Sequence, residues 1–289
     1  MQFTSFAALL KSNPNSLAKG PVALIFAEDD VELDTTLRHH KDIGFKQVFA
    51  FLPKAFDLAD DVMGAVTRID MEDMSNAQVI DTVNEVATAC PGQWLYYCFN
   101  AEYLLFPFCE TRSIGEMLAF HAEERRSAML TYVVDLYAEN LHDHSDAVSI
   151  DTAMMDKAGY YALARPDPDN HNHPKERQLD FYGGLRWRFE EHVPKAKRKI
   201  DRISIFKAQP GVHLRPDFTL SDEELNTYSC AWHSNLTAAV CSFRAAKALK
   251  TNPGSTYDIK SFKWHNSVPF EWHSRQLMDL GLMEPGQWF

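Results

Sequence analysis

Residues Trp94–Phe99 read Trp-Leu-Tyr-Tyr-Cys-Phe, six apolar or aromatic residues without a break. Pro91-Gly92 stands just before them as a turn signal. The run is far too short to cross a membrane and is rich in residues that favour extended backbone, so it predicts a buried central strand. Polarity then changes abruptly, with Asn100 and Glu102 where the strand has to end. Open α/β sheets bind their ligands beyond the carboxyl ends of their strands, at a topological switch point. Asn100 and Glu102 are therefore the first candidate site residues. The alternative is that they only cap the loop that follows a core strand.

The flanking pattern places this strand in an α/β fold. Val22–Phe26 is a compact apolar strand that runs into Glu28, Asp29 and Asp30. Residues 31–43 carry apolar positions at helical spacing and stop at Gly44, and Gln47–Leu52 is a second strand ended by Pro53. A β-α-β order with a connection of this length argues for parallel strands. Residues 62–69 fit either a third short strand or a turn of helix. Residues 76–90 repeat Val79, Ile80, Val83, Val86 and Ala87 at helical spacing and lead into the focal strand. A Rossmann-type, mostly parallel central sheet flanked by helices is the expected architecture, followed by a mixed α+β C-terminal part. At 289 residues the chain is expected to form a single domain, with residues 20–110 as one half and 111–289 as the other.

The second half alternates less regularly. Residues 114–126 predict an amphipathic helix and residues 129–137 a strand. Residues 165–174 are a loop by composition, and 236–249 predict an alanine-rich helix. Ser221-Asp222-Glu223-Glu224 reads as a helix N-cap with acids in the first turn. The paired glycines Gly183 and Gly184 allow close backbone approach to a ligand, and Arg186 and Arg188 suit bidentate phosphate contact. An Arg-Trp-Arg alternation on a strand puts both arginines on one face and Trp187 on the other. The alternative there is a structural hairpin with ion pairs.

Charge and cysteine usage narrow the partners. A net charge of −11 argues against binding nucleic acid through general phosphate attraction, and against docking on an anionic membrane. Five scattered cysteines without a CxxC pair fit free thiols in a reducing, cytoplasmic setting. No stretch reaches membrane-spanning length, and Phe6-Ala7-Ala8-Leu9-Leu10 reads as a short packing helix. His171, His173, Asp167 and Asp169 fit a solvated loop better than a metal site. Lys195, Lys197, Arg198 and Lys199 fit a solvated helix face.

Several of these segments together resemble a known family. Glu28-Asp29, Leu33, His39-His40 and Gly44 followed by a strand are similar to the opening of the family 2-type glycosyltransferases. Trp94 through Asn100-Ala101-Glu102-Tyr103-Leu104 resembles that family's strand running into Asp-x-Asp-Glu-Phe-Leu. Gly183-Gly184-Leu185-Arg186-Trp187-Arg188 is similar to a Gly-Gly-x-Arg-x-Arg segment of a short bacterial subgroup, and Trp232-His233 to its late histidine. The resemblance implies a GT-A-like fold that moves a sugar from a nucleotide-sugar donor to a glycan or lipid-linked acceptor. On it, Glu28, Asp29, Asn100 and Glu102 bind the donor, and Gly183, Gly184, Arg186 and Arg188 bind acceptor or phosphate. Glu102 holds a divalent metal, Mn²⁺ or Mg²⁺. Asp180 and His233 are the candidates for catalysis, with Asp135 a further acid that can serve as general base.

The chain departs from the family pattern in three places. Glu28 stands where an asparagine is usual, Phe51 where an aspartate usually ends the second strand, and the Asp-x-Asp pair is altered. In one register that pair becomes Asn100-Ala101-Glu102. In the other both aspartates are lost, to Phe99 and Ala101, and Glu102 orients loop backbone instead. A catalytically lapsed relative that binds carbohydrate or a protein partner is thus the alternative to an active transferase.

Overall fold

A computed structural model of the chain describes residues 1–13, 15–228 and 236–288. The protein is α/β, with a mixed sheet flanked by helices. It divides into two compact units that interleave in sequence. The first comprises Met1–Tyr103, Cys109–Leu130 and Arg202–Asn226; the second comprises Leu104–Phe108, Thr131–Asp201 and Thr227–Phe289.

The first unit opens with β1 (Gln2–Phe3) and the short helix α1 (Phe6–Ser12). Then β2 (Val22–Phe26), α2 (Leu33–Asp42), β3 (Gln47–Leu52), α3 (Asp60–Ala65), β4 (Thr67–Asp70), α4 (Asn76–Ala89) and β5 (Trp94–Phe99) alternate. Residues 62–69 thus contain both a helical turn and a strand. β2 lies between β3 and β5, parallel to each, and β4 continues the parallel array on the far side of β3. All five residues of β2 are buried, as expected for a parallel strand covered on both faces. Phe26, Phe49, Phe51, Tyr96, Tyr97 and Phe99 are the large side chains of this core. Burying each stabilises the unit by roughly 1.5–3 kcal/mol before the entropy of ordering is subtracted.

Local chemistry sets the helix limits. Ser75 caps α4 by accepting from the Gln78 N–H, and Gly44, at φ +103°, lets the chain leave α2. Beyond β5 come β6 (Glu102–Leu105), α5 (Ile114–Glu123) and β7 (Ala128–Ala138). Ser113 and Glu116 form a reciprocal capping box at the start of α5.

The second unit contains β8 (Ala153–Asp156), the hairpin of β9 (Tyr161–Asp167) and β10 (His173–Tyr182), and the short helix α6 (Gly184–Arg188). Four sequence expectations change here. Residues 165–174 are not a free loop but the turn end of that hairpin. Residues 184–188 are helical, so Arg186 and Arg188 do not share one face as they would on a strand. Lys195–Lys197 is a single 3-10 turn rather than a longer helix, and β11 (Asp201–Lys207) follows, its residues Ile205–Lys207, which belong to the first unit, pairing antiparallel with β5. Glu223–Asn226 is likewise one 3-10 turn.

Residues 236–249 are also not one helix. β12 (Ala238–Ser242) pairs parallel with β7, and α7 (Arg244–Thr251) begins after it. β13 (Ser267–Pro269) pairs antiparallel with β8, and α8 (Ser274–Asp279) closes the described chain. The core of this unit gathers Tyr137, Met154, Leu185, Ala246, Leu249 and Phe262. No helix among the described residues is long and apolar enough to cross a membrane. Cys90, Cys98 and Cys241 are buried, and Cys109 is half-buried.

Candidate functional site

In the first unit the chain runs from β2 outward to β3 and β4, then crosses back to β5 on the other side of β2. The topological switch point therefore lies between β2 and β5, whose last residues Phe26 and Phe99 are direct partners. Glu28, Asp29 and Asp30 follow one strand and Asn100 follows the other. Asn100 is fully buried and ties the two ends together. Its Oδ1 accepts from the Glu28 N–H at 2.9 Å, and its Nδ2 donates to Asp29 Oδ1 and to the Val31 carbonyl. Asp29 Oδ1 also accepts from the Val31 N–H at 3.0 Å. Glu28 and Asp30 are exposed and Asp29 is half-buried, so the switch point presents an acidic rim on a fixed backbone.

Arg68, which the sequence reading passed over, steadies the neighbouring loop. Buried on β4, it donates to the carbonyls of Pro53, Lys54 and Phe56 just past the end of β3, and pairs with Asp70. A lone arginine inside a short strand was the signal: burying it demands partners.

Glu102 does not join that exposed rim. It is fully buried, its Oε1 and Oε2 are both bonded by the Arg202 guanidinium, and Oε2 also accepts from the Phe99 N–H. Arg202 stands over the rings of Tyr97 and Phe99. Burial disfavours its charge, but Glu102 outweighs that and holds the guanidinium above its ordinary value. Glu102 is thus half of a buried ion pair that fixes the loop after β5. Beside it, Ala101, at φ +57°, donates its N–H to Thr36 Oγ1 at 2.8 Å. His40 is buried in α2 against the Thr36 carbonyl, and burial pushes its imidazole down to about 3.

With Asn100 occupied by backbone and Glu102 by Arg202, these two residues do not fit the divalent-ion ligation that the resemblance implies for them. Among the described residues no group of three or more His, Cys, Asp or Glu side chains is placed to hold a metal ion.

In the second unit, Asp180 accepts from Arg165 at 2.7 Å and from Lys199 at 2.9 Å. Burial raises its pKa, but these two cations outweigh burial and leave the carboxyl below its ordinary value, which makes it a weak proton acceptor. His233 and Trp232 lie outside the described residues. Gly183 and Gly184 serve close packing: a Cβ on Gly183 would stand 2.5 Å from the Tyr160 ring, and one on Gly184 2.5 Å from Asp135 Oδ2. Arg186 donates to the Lys199 carbonyl at 2.6 Å. Arg188 binds both oxygens of Asp156, donates to the Phe262 carbonyl and stacks on Trp264. The second unit therefore separates the two arginines and engages each with protein oxygen atoms.

The acid that stands apart is Asp135. It is buried on β7, and its Oδ2 accepts the Leu185 N–H at 2.8 Å, while its Oδ1 has no hydrogen-bond partner among the described residues. Burial pushes the carboxyl up to about 6, although Arg186 and the Leu185 N–H favour its charge. A proton-accepting group near neutral pH is what general-base chemistry requires. Compared with known proteins, the chain matches no family model, and no curated protein matches it.

Proposed function

We infer that the chain is a GT-A-type glycosyltransferase that takes a sugar from a nucleotide-sugar donor to a glycan or lipid-linked acceptor. The nucleotide occupies the crevice at the carboxyl ends of β2 and β5. The observation that carries this reading is the switch point itself: a parallel array whose strand order reverses between β2 and β5, with Asn100 bracing both ends. Carboxylates at such a crevice accept hydrogen bonds from ribose hydroxyls, and this reading assigns that role to Glu28, Asp29 and Asp30.

A second reading is favoured by one specific observation. Glu102, the acid of the altered motif, and Asp180, a candidate general base, are each held by cations. That arrangement suits a lapsed relative that keeps a binding site without turnover. Calorimetric titration of the full chain with uridine, guanosine and thymidine diphosphates and their hexose conjugates, each with and without Mn²⁺, separates the readings. A nucleotide that binds wild type and fails to bind Asn100→Ala, with the hexose joined to added acceptor and the nucleoside diphosphate released, supports the transferase. The Mn²⁺ arm decides whether a divalent ion accompanies the diphosphate. Indifference to every nucleotide refutes the transferase and leaves the binding protein.

A further inference from the structure

We propose that the second unit binds a neutral carbohydrate, stacked on the indole of Trp187 and received by the Tyr160 hydroxyl and the Asp135 carboxyl. This rests on the transferase reading only in naming that carbohydrate as the acceptor; the binding surface is argued from the second unit alone.

Trp187 is 41% exposed, an unusual position for the largest side chain. Its ring lies against Trp264, 6.4 Å between centroids, and both close on Gly159, where a Cβ would stand 3.4 Å from Trp187 and 3.8 Å from Trp264. The supporting indole is fixed from behind. Asp156 is fully buried and accepts from Trp264 Nε1 at 2.7 Å, from the Tyr137 hydroxyl at 2.6 Å and from Arg188. Arg188 also stacks on the Trp264 ring. A half-exposed aromatic surface held this firmly loses little entropy when a ligand lies on it. Tyr161, also exposed, stacks on Tyr182 at 5.4 Å and adds a second ring pair on the hairpin.

Two buried polar groups without partners among the described residues pack against the glycines that lead into α6. Tyr160 follows Gly159, packs its ring on Gly183, and buries a hydroxyl that has no hydrogen-bond partner among the described residues. The next glycine, Gly184, packs on Asp135, whose Oδ1 is equally unpartnered. Each such buried group costs about 1–3 kcal/mol, and two packed against the adjacent glycines Gly183 and Gly184 are a large sum for a purely structural role. A ligand hydroxyl that donates to Asp135 and accepts from Tyr160 satisfies both. An apolar ring face combined with hydroxyl groups is the chemistry of a pyranose. A lipid has no use for the two oxygens, and an anionic ligand is opposed by Asp135.

The test uses the full chain on an array of neutral and acidic glycans, followed by calorimetry and tryptophan emission with the neutral oligosaccharides that bind. Binding of a neutral glycan should weaken at least tenfold in Trp187→Ala, recover in Trp187→Tyr, and weaken in Asp135→Asn. Nucleoside diphosphate binding should be unchanged in all three. Absence of neutral glycan binding, or equal binding by wild type and Trp187→Ala, overturns the proposal, as does glycan binding indifferent to Asp135→Asn. Glycan binding without nucleotide binding leaves this site standing and removes the transferase; nucleotide binding without glycan binding does the reverse.

Discussion

Replacing Asp135 with asparagine should stabilise the second unit, by an amount that depends on pH in a defined way. The side chains have nearly the same shape, and an asparagine Oδ1 can keep the Leu185 N–H bond. What changes is the charge. Burial raises the carboxyl from 3.8 to about 6, so the folded chain binds this proton before the unfolded chain does. Wild type therefore gains stability as pH falls from about 6 to about 4, and above pH 6 it bears the full cost of a buried charge. A shift of about two units at about 1.4 kcal/mol per unit makes that cost about 3 kcal/mol. The asparagine variant should exceed wild type by about that amount at pH 8 and match it near pH 4, raising the urea midpoint at pH 8 by roughly 1–2 M. Urea unfolding followed by tryptophan emission is the assay, because Trp187, Trp264, Trp272 and Trp288 all belong to this unit. His40 titrates alike in both proteins and cancels in the difference. An asparagine variant less stable than wild type at pH 8, or a difference that does not change with pH, would show that the charge already has a compensating partner and refute the reasoning.

Three further outcomes follow from the same contacts. Arg202→Met should destabilise the first unit by about 3–5 kcal/mol, because it strands the Glu102 charge; Arg202→Met with Glu102→Gln should recover much of the loss, measured as urea midpoints followed by far-UV circular dichroism. His40, at about 3 against 6.5 unfolded, is protonated first in the unfolded chain, so its contribution is complete above pH 6.5 and drains as pH falls towards 3; His40→Gln should flatten that limb of the pH–stability curve by up to about 1.4 kcal/mol per pH unit. Gly184→Ala combines φ +59° with a Cβ 2.5 Å from Asp135 Oδ2, and should cost at least about 1–3 kcal/mol in thermal unfolding.

What the amino-acid order determined by itself is the alternation of the first unit. The strands Val22–Phe26, Gln47–Leu52 and Trp94–Phe99 and the helices between them follow from apolar runs, helical spacing and stops such as Gly44, all of which act within a few residues. The position of Asn100 at the end of a central strand was legible for the same reason. The tertiary structure alone decided what the charged side chains do. Glu102 looks like a ligand until Arg202, a hundred residues later, is brought against it. Asp180 looks like a base until Arg165 and Lys199 close on it. Ala238–Ser242 has a helical composition, yet pairing with β7 outweighs a propensity worth only a few tenths of a kcal/mol per residue. Gly183 and Gly184 gave the same ambiguity: their freedom is spent on Tyr160 and Asp135, neither of which is near in sequence to the second glycine. Periodicity is a property of neighbours along the chain, whereas the state of a buried charge depends on which opposite charge the fold sets beside it, and no local pattern records that choice.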